Sequence, residues 1–216
     1  MPQLTPARPR PPGQFEDFPT VTRRALQHAL HKASQSLSDA QIGDMMTAYN
    51  ALEPFPDVIR GLQLLEQHSA TVHPVVFSNG SAEMLDAVLR GKAVAGKAAG
   101  KEEGQAGGLG QKVDVFRGYV SLAELRRYKP VREGYELLVK KVGRDPSKAG
   151  DRERVWVVSS NEWDVLGAKT AGLQACWVDR AGRGYGAGLL GSETRPDFVG
   201  RDLEDAISKI VGSQVE

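Results

Sequence analysis

The sequence has 216 residues, with 28 lysines and arginines against 27 aspartates and glutamates, so its formal net charge is +1. The balanced charge gives no reason to expect nucleic acid or an anionic membrane surface as a partner, and the length is enough for one α/β domain with a buried core. No apolar run approaches the length of a membrane span, and the first residues lack the apolar segment of a signal peptide, so we expect a cytoplasmic protein.

The N-terminal quarter of the chain predicts an arm followed by helices. Five prolines within residues 1–14 disfavour helix and central strand alike, so this arm is expected to be disordered. Apolar residues then recur at helical spacing over 15–34, and again from Ser38, which suits an N-cap, to about residue 52. Residues 15–53 are therefore predicted to form part of a helical cap.

Residues 54–212 are predicted to form the core, and their pattern is one of repeated strand–loop–helix units. A helix is expected to begin at Pro56, because proline suits a first helical turn. Strands are predicted at 72–77, 116–121, 155–158 and 175–178, with helices after them and a last helix at 202–211. Repeated βα units predict a parallel sheet in a Rossmann-like α/β core.

Two segments of the core are unusual in composition. Residues 91–112 consist mainly of Gly, Ala, Lys and Gln with almost no large apolar side chain, so they are predicted to be a flexible insertion. Cys176, the single cysteine, lies in the apolar sequence Gln-Ala-Cys-Trp-Val. We interpret it as a buried strand residue and not as a reactive thiol.

Polar residues follow three of the predicted strands. Ligands of open parallel sheets bind beyond the carboxyl ends of the strands, so these positions are candidates for a site. One such cluster alone is more often a helix N-cap or a solvated loop. Three clusters at equivalent positions favour a common site instead: Ser78 with Asn79, Lys129 with Tyr135, and Ser159 with Asn161 and Asp164.

At these positions the sequence resembles the type II (S)-2-haloacid dehalogenases of the haloacid dehalogenase-like hydrolase superfamily. The resemblance rests on Phe-Ser-Asn-Gly at 77–80, Tyr-Lys-Pro-x4-Tyr at 128–135 and Val-Ser-Ser-Asn-x-Trp-Asp-x2-Gly-Ala at 158–168. It extends over most of 15–205 outside the insertion. It implies a parallel α/β core with a helical cap.

The resemblance also implies a reaction and roles for several residues. In this family an aspartate carboxylate displaces halide from a short 2-haloacid, and water then hydrolyses the resulting ester. Lys129 would place a cation near the nucleophile and the substrate carboxylate, and Tyr135 would orient it or donate a hydrogen bond. Ser78 would bind the substrate carboxylate, and Asn79 would help to hold the leaving halide.

The resemblance implies further roles for residues of the cap and of the family's fourth motif, which is the segment at 158–168. Phe18 and Trp163 would line an apolar pocket around the halogen, although core packing explains both residues equally well. Asp164 would anchor the lysine and, with Ser159 and Asn161, position the hydrolytic water.

The family's first motif has no counterpart in these 216 residues. That motif is a strand ending in Asp-x-x-Gly-Thr, which supplies the nucleophile. We therefore expect the sheet to lack its central strand, between the strand that ends at Ser78 and the strand that ends at Ser159, and the chain to be inactive as given. Asp17 is an acidic alternative, but its place at the start of an amphipathic helix disfavours it.

Two other functions stay open. One is a non-catalytic remnant that binds small carboxylates or a protein partner, and the other is a small-molecule phosphatase of the same superfamily. Mg²⁺ prefers anionic oxygen ligands, whereas Ser159 and Asn161 are neutral, so we predict neither a metal nor a cofactor. His28 and His31 are interpreted as a solvated helix face. The expected ligand is a short 2-haloacid, and a homodimer remains open.

Overall fold

The structure, a computed structural model, describes residues 15–49, 52, 54–89, 114–186 and 191–213. The predicted arm 1–14 and the predicted insertion 91–112 lie outside these residues. The described elements, in chain order, are α1 Phe18–Lys32, α2 Asp39–Tyr49, α3 Pro56–Gln67, β1 Val76–Ser78, α4 Ala82–Leu89, β2 Tyr119–Ser121, α5 Arg132–Lys141, α6 Ala149–Arg152, β3 Trp156–Ser159, α7 Glu162–Thr170, β4 Gln174–Val178, β5 Phe198–Gly200 and α8 Leu203–Gly212.

Side chains fix the starts of the first helices. The Asp17 carboxylate accepts a hydrogen bond of 2.8 Å from the backbone N–H of Thr20 and so caps α1. At α2, Ser38 Oγ accepts from the Gln41 N–H at 3.3 Å, and Gln41 Oε1 accepts from the Ser38 N–H at 2.9 Å, which makes a capping box. Asp17 is therefore a helix cap and does not end a strand.

The strands form two parallel sheets. One sheet pairs β1 with β2, and the other has the order β3-β4-β5. The Val76 N–H donates to Gly118 O at 3.0 Å on the β2 side. Because successive residues of a parallel strand direct their backbone groups to opposite sides, those of Phe77 face away from β2. Within the described residues no ladder joins β1 to β3. We call this interval between the two strands the gap, and that a strand is missing from it stays a prediction.

Apolar clusters cover both faces of the β3–β4–β5 sheet. One face packs against α5 and α7 through residues that include Leu138, Val139, Val157, Val165 and Trp177, and Val120 of β2 joins this cluster. The other face packs against α8 through Cys176, Val178, Ala206 and Ile210. The prediction for Cys176 is confirmed, and burial raises the pKa of its thiol to about 11, so the thiol stays protonated at neutral pH.

Three strands and one helix differ from the prediction. β2 begins at Tyr119, three residues later than expected, and the four-residue helix α6 was not predicted. β1 begins at Val76, four residues later than expected, after a segment that contains Pro74, which has no N–H to donate. β5 was not predicted, because its three residues are too short for a periodic pattern. It pairs with β4, and the Asp197 N–H just before it donates to Ala175 O at 2.8 Å. Within the described residues, no helix combines the length and apolarity needed to cross a membrane.

Candidate active site

Lys129 lies where the two sheets meet. Its Nζ donates to the carbonyl of Phe77 in β1 at 2.9 Å, and its backbone N–H donates to Asn79 Oδ1 at 2.8 Å. The loop that carries it leaves β2 through a short 3-10 helix and then Arg126, whose φ of 52° is left-handed. The loop thus returns the lysine to the C-terminal end of β1.

Lys129 and Asp164 form a buried ion pair. Lys129 Nζ lies 2.9 Å from Asp164 Oδ2, and their side chains are only 6% and 7% exposed. Burial lowers the pKa of the Lys129 ammonium below its ordinary value, while the charge and hydrogen bond of Asp164 act in the opposite direction. An ammonium has three N–H donors, and among the described residues two of them have acceptors.

Tyr135 acts on the other oxygen of the same carboxylate. Its hydroxyl lies 2.9 Å from Asp164 Oδ1 and 3.1 Å from the Asp164 carbonyl oxygen. Burial, and then the charge of Asp164, raises the pKa of Tyr135 well above its usual range, so the hydroxyl remains a donor. A Cβ on Gly167 would lie 2.3 Å from this hydroxyl, which explains a glycine there. The resemblance implied that Tyr135 orients Lys129 or donates a hydrogen bond; in the structure its hydroxyl donates to Asp164, the partner of Lys129, and its role in orienting the lysine stays a prediction.

The turn after β1 is held from two sides. Ser78 Oγ accepts from the Gly80 N–H at 3.0 Å, and the buried Ser121 at the end of β2 donates its hydroxyl to Gly80 O at 2.6 Å. Since Asn79 Oδ1 faces the Lys129 N–H, the amide NH₂ of Asn79 remains available as a donor. Sequence reasoning missed Ser121, although it ends a strand just as Ser78 and Ser159 do.

The loop after β3 holds the remaining polar candidates. Ser159 Oγ accepts from the Asn161 N–H at 3.2 Å. Asn161 is the N-cap of α7, but its side chain makes no capping hydrogen bond and is exposed, so the amide remains available. Trp163, on α7, is 44% exposed, which excludes core packing as its explanation.

Phe18 reaches the loop that carries Lys129. Its ring lies edge-on to Tyr128 at 6.2 Å, and the Phe15 ring lies 5.4 Å from the same tyrosine. The Tyr128 hydroxyl donates to the carbonyl of Glu16. No side chain of α1 is buried, so these aromatic contacts attach the start of the helix to the residue that precedes Lys129. A contact of Phe18 with the lysine itself is not observed.

The donor set does not suit a divalent cation. Within the described residues no three His, Cys, Asp or Glu side chains are grouped as metal ligands would be. Asp164, the acidic residue of the segment at 158–168, already accepts hydrogen bonds from Lys129 and Tyr135. His28 and His31 lie exposed on α1.

Known proteins of one family are similar to this chain in sequence. A family model described as haloacid dehalogenase-like hydrolase matches residues 12–172. Haloacetate dehalogenase H-2 of Moraxella sp. (strain B) is 30% identical over 87% of this chain and 70% of its own length. An (S)-2-haloacid dehalogenase of Xanthobacter autotrophicus is 30% identical over 78% of this chain, which spans 55% of that relative.

Solved structures match in the same way. The Xanthobacter autotrophicus L-2-haloacid dehalogenase with covalently bound chloropropionic acid has a TM-score of 0.67 at 27% identity, over 93% of this chain and 78% of its own. Another L-2-haloacid dehalogenase has a TM-score of 0.72 at 23% identity, over 92% of this chain and 74% of its own, and supports the fold.

Proposed function

Because the chain belongs to the haloacid dehalogenase-like hydrolase family, we propose that its site binds a short 2-haloacid and takes part in hydrolytic release of the halide. The observation that carries this proposal is the buried Lys129–Asp164–Tyr135 network beside the turns after β1 and β3. A cation with one N–H left to donate, held away from water, strongly favours a carboxylate ligand.

The proposed chemistry has two steps. An aspartate oxygen forms a bond to the halogen-bearing carbon, and halide leaves with the bonding electron pair. Water then attacks the carbonyl carbon of the ester, which releases a 2-hydroxyacid and a proton and regenerates the aspartate. Lys129 binds the substrate carboxylate, Asn79 donates its amide N–H to the halide, and Ser159 with Asn161 positions the water.

An aspartate for the first step is not assigned to the 216 residues. Asp17 caps α1 and lies at no strand end. A strand placed between β1 and β3 would end beside Lys129, since the Phe77 carbonyl that the ammonium contacts faces that gap. We therefore expect the chain as given not to release halide, and an aspartate on an added strand to complete the site.

The test compares three polypeptides on (S)-2-chloropropionate: the 216-residue chain, the same chain with an N-terminal strand ending in Asp-x-x-Gly-Thr, and the extended chain with that Asp→Asn. Halide release is expected from the second alone. Lys129→Ala in the extended chain should lower kcat/KM by at least about 100-fold, through lost charge stabilisation.

Halide release from the unextended chain that disappears with Asp17→Asn would contradict the proposal, and so would a folded extended chain without activity. In the latter case, calorimetric binding of lactate by the 216-residue chain would favour the second candidate, a carboxylate-binding protein without catalysis. The buried cation with a donor to spare supports that candidate too.

A further inference from the structure

Phe77 touches the Lys129 ammonium in two ways. Its backbone carbonyl accepts from Nζ at 2.9 Å, and the centroid of its ring lies 3.8 Å from the same nitrogen. The carbonyl belongs to the backbone and would be the same for any residue at 77. The ring is specific to an aromatic side chain.

The ring also belongs to a closed series of contacts among four side chains, those of Phe77, Tyr135, Asp164 and Lys129. Phe77 and Tyr135 meet edge to face, with their centroids 5.4 Å apart and their planes at 72°. Tyr135 donates to one oxygen of Asp164, and Lys129 donates to the other. The four residues come from β1, α5, α7 and the loop after β2, so these contacts join both sheets.

The physical role of the ring follows from its charge distribution. The face of an aromatic ring is electron-rich and attracts an ammonium, most strongly where water is excluded. Burial of Lys129 favours its neutral amine, and Asp164 opposes this. Among the described residues, Asp164 is the titratable group that contacts the amine, and Tyr135 donates to the other oxygen of that carboxylate. Phe77 adds an uncharged contact that favours the ammonium without occupying a carboxylate.

We propose that Phe77 is a positioning residue for Lys129, whose ring face keeps the ammonium charged and seated at the junction of the two sheets. The meaning of this role for catalysis rests on the proposed function, in which that cation binds the substrate carboxylate. The contact itself is a property of the chain and can be measured without turnover.

The test replaces Phe77 in the full 216-residue chain with 4-fluoro-, 3,5-difluoro- and 3,4,5-trifluorophenylalanine. These rings keep nearly the same shape while their faces become progressively less negative. Protonation of Lys129 is followed by NMR of lysine labelled with ¹³C at Cε, with Lys129→Met to assign the signal. The acid dissociation constant of the amine is expected to rise in steps, by about tenfold for the trifluoro ring.

Phe198 provides the matched control. It stacks on Trp156 with centroids 5.3 Å apart and planes at 1°, and the cation–π contacts found in the described residues do not include it. The same fluorinated series at 198 should leave the Lys129 titration unchanged. Phe77→Leu, which keeps apolar bulk without a ring, should raise the dissociation constant at least as far as the trifluoro ring.

An unchanged titration across the series at 77, or equal changes in the series at 198, would overturn the proposal. So would a Lys129 amine that titrates like a free lysine in the unsubstituted chain, because the ammonium would then not be buried against the ring. Graded changes at 77 together with a folded but inactive extended chain would leave the contact established and refute the dehalogenase function alone.

Discussion

The two parallel sheets are held in place by different kinds of contact. In the β3–β4–β5 sheet, residues 175–178 of β4 are all buried, and apolar clusters lie on both faces. Every residue of β1 is partly exposed, and its C-terminal turn is fixed by hydrogen bonds that the Ser121 hydroxyl and the Lys129 backbone N–H donate to it. The larger sheet is stabilised by apolar burial, whereas the end of the smaller one depends on the polar groups of the candidate site.

Among the described residues, the polar contacts that connect the smaller sheet and the helix before it to the larger sheet include two bridges between buried or partly buried side chains. The first is Lys129, between Phe77 of β1 and Asp164 of α7. The second is Asp57 at the start of α3, whose carboxylate accepts from Arg180 Nε and Nη2 at 3.1 and 2.7 Å, just after β4. Polar bridges tolerate substitution less well than apolar surfaces, because a lost partner leaves a buried charge.

The largest effect is expected from filling the gap between β1 and β3. Each buried backbone group without a partner costs about 1–3 kcal/mol, so a few such groups equal much of the roughly 5–15 kcal/mol stability of a domain. We expect the 216-residue chain to bind a hydrophobic dye, and a peptide spanning the family's first strand to raise its melting temperature and to abolish dye binding. A monodisperse monomer without dye binding, whose melting temperature the peptide leaves unchanged, would contradict this.

Asp164→Ala is expected to have the next largest effect, because it leaves the Lys129 ammonium buried and unpaired. The expected loss of unfolding free energy is about 3–5 kcal/mol, measured by urea denaturation, and adding Lys129→Met should recover much of it. Glu136→Ala removes a partner from an exposed ion pair with Arg132 and should cost about 0.3–0.5 kcal/mol. Similar losses of unfolding free energy for Asp164→Ala and Glu136→Ala would mean that the buried Lys129–Asp164 pair does not link the sheets.

Gly167→Ala should displace Tyr135 from Asp164, because the added Cβ would lie 2.3 Å from the tyrosine hydroxyl. The expected loss of stability is about 1–3 kcal/mol. Gly43→Ala is the matched control: nothing lies within 4 Å of its Cβ position in α2, so alanine should stabilise the chain by about 0.5–1 kcal/mol. Opposite signs of the two changes in melting temperature would support the displacement of Tyr135 by the added Cβ, and equal signs would refute it.

The smallest effect concerns Asp57 and depends on pH. Hydrogen bonds from Arg180 hold the pKa of the Asp57 carboxyl below its ordinary value. Its contribution to stability is therefore complete above the unfolded pKa of about 3.9 and is lost as the pH falls through the folded pKa. The difference in melting temperature between the unsubstituted chain and Asp57→Asn should shrink as the pH falls below about 4.

Arg180→Gln should remove the same pH-dependent contribution to stability, since it takes away the group that lowers the pKa of Asp57. A difference between the unsubstituted chain and Asp57→Asn that stays constant down to acid pH would show that the carboxylate charge is not what joins α3 to the loop after β4.

Local patterns were enough to predict much of the fold. Pro56 and Ser38 identified the starts of helices, because capping depends on residues within one turn. The apolar run before Ser159 identified a strand covered on both faces. Motif spacing also placed the residues of the candidate site at the ends of strands, where the structure brings Lys129 and Asp164 together.

Features that depend on long-range contacts escaped the sequence. β5 was missed because it exists only by pairing with β4. Ser121, Phe77 and the bridge from Asp57 to Arg180 act on partners that are 41, 52 and 123 positions away.

The sequence by itself determined most of the helices and strands, the family and the set of polar residues at the strand ends, since each of these depends on neighbours along the chain or on motif spacing. The tertiary structure alone decided that the Tyr135 hydroxyl donates to Asp164, and that a phenylalanine ring lies against the buried ammonium. Spacing along a chain specifies which face a side chain occupies, but the partner on that face is chosen by how the elements pack.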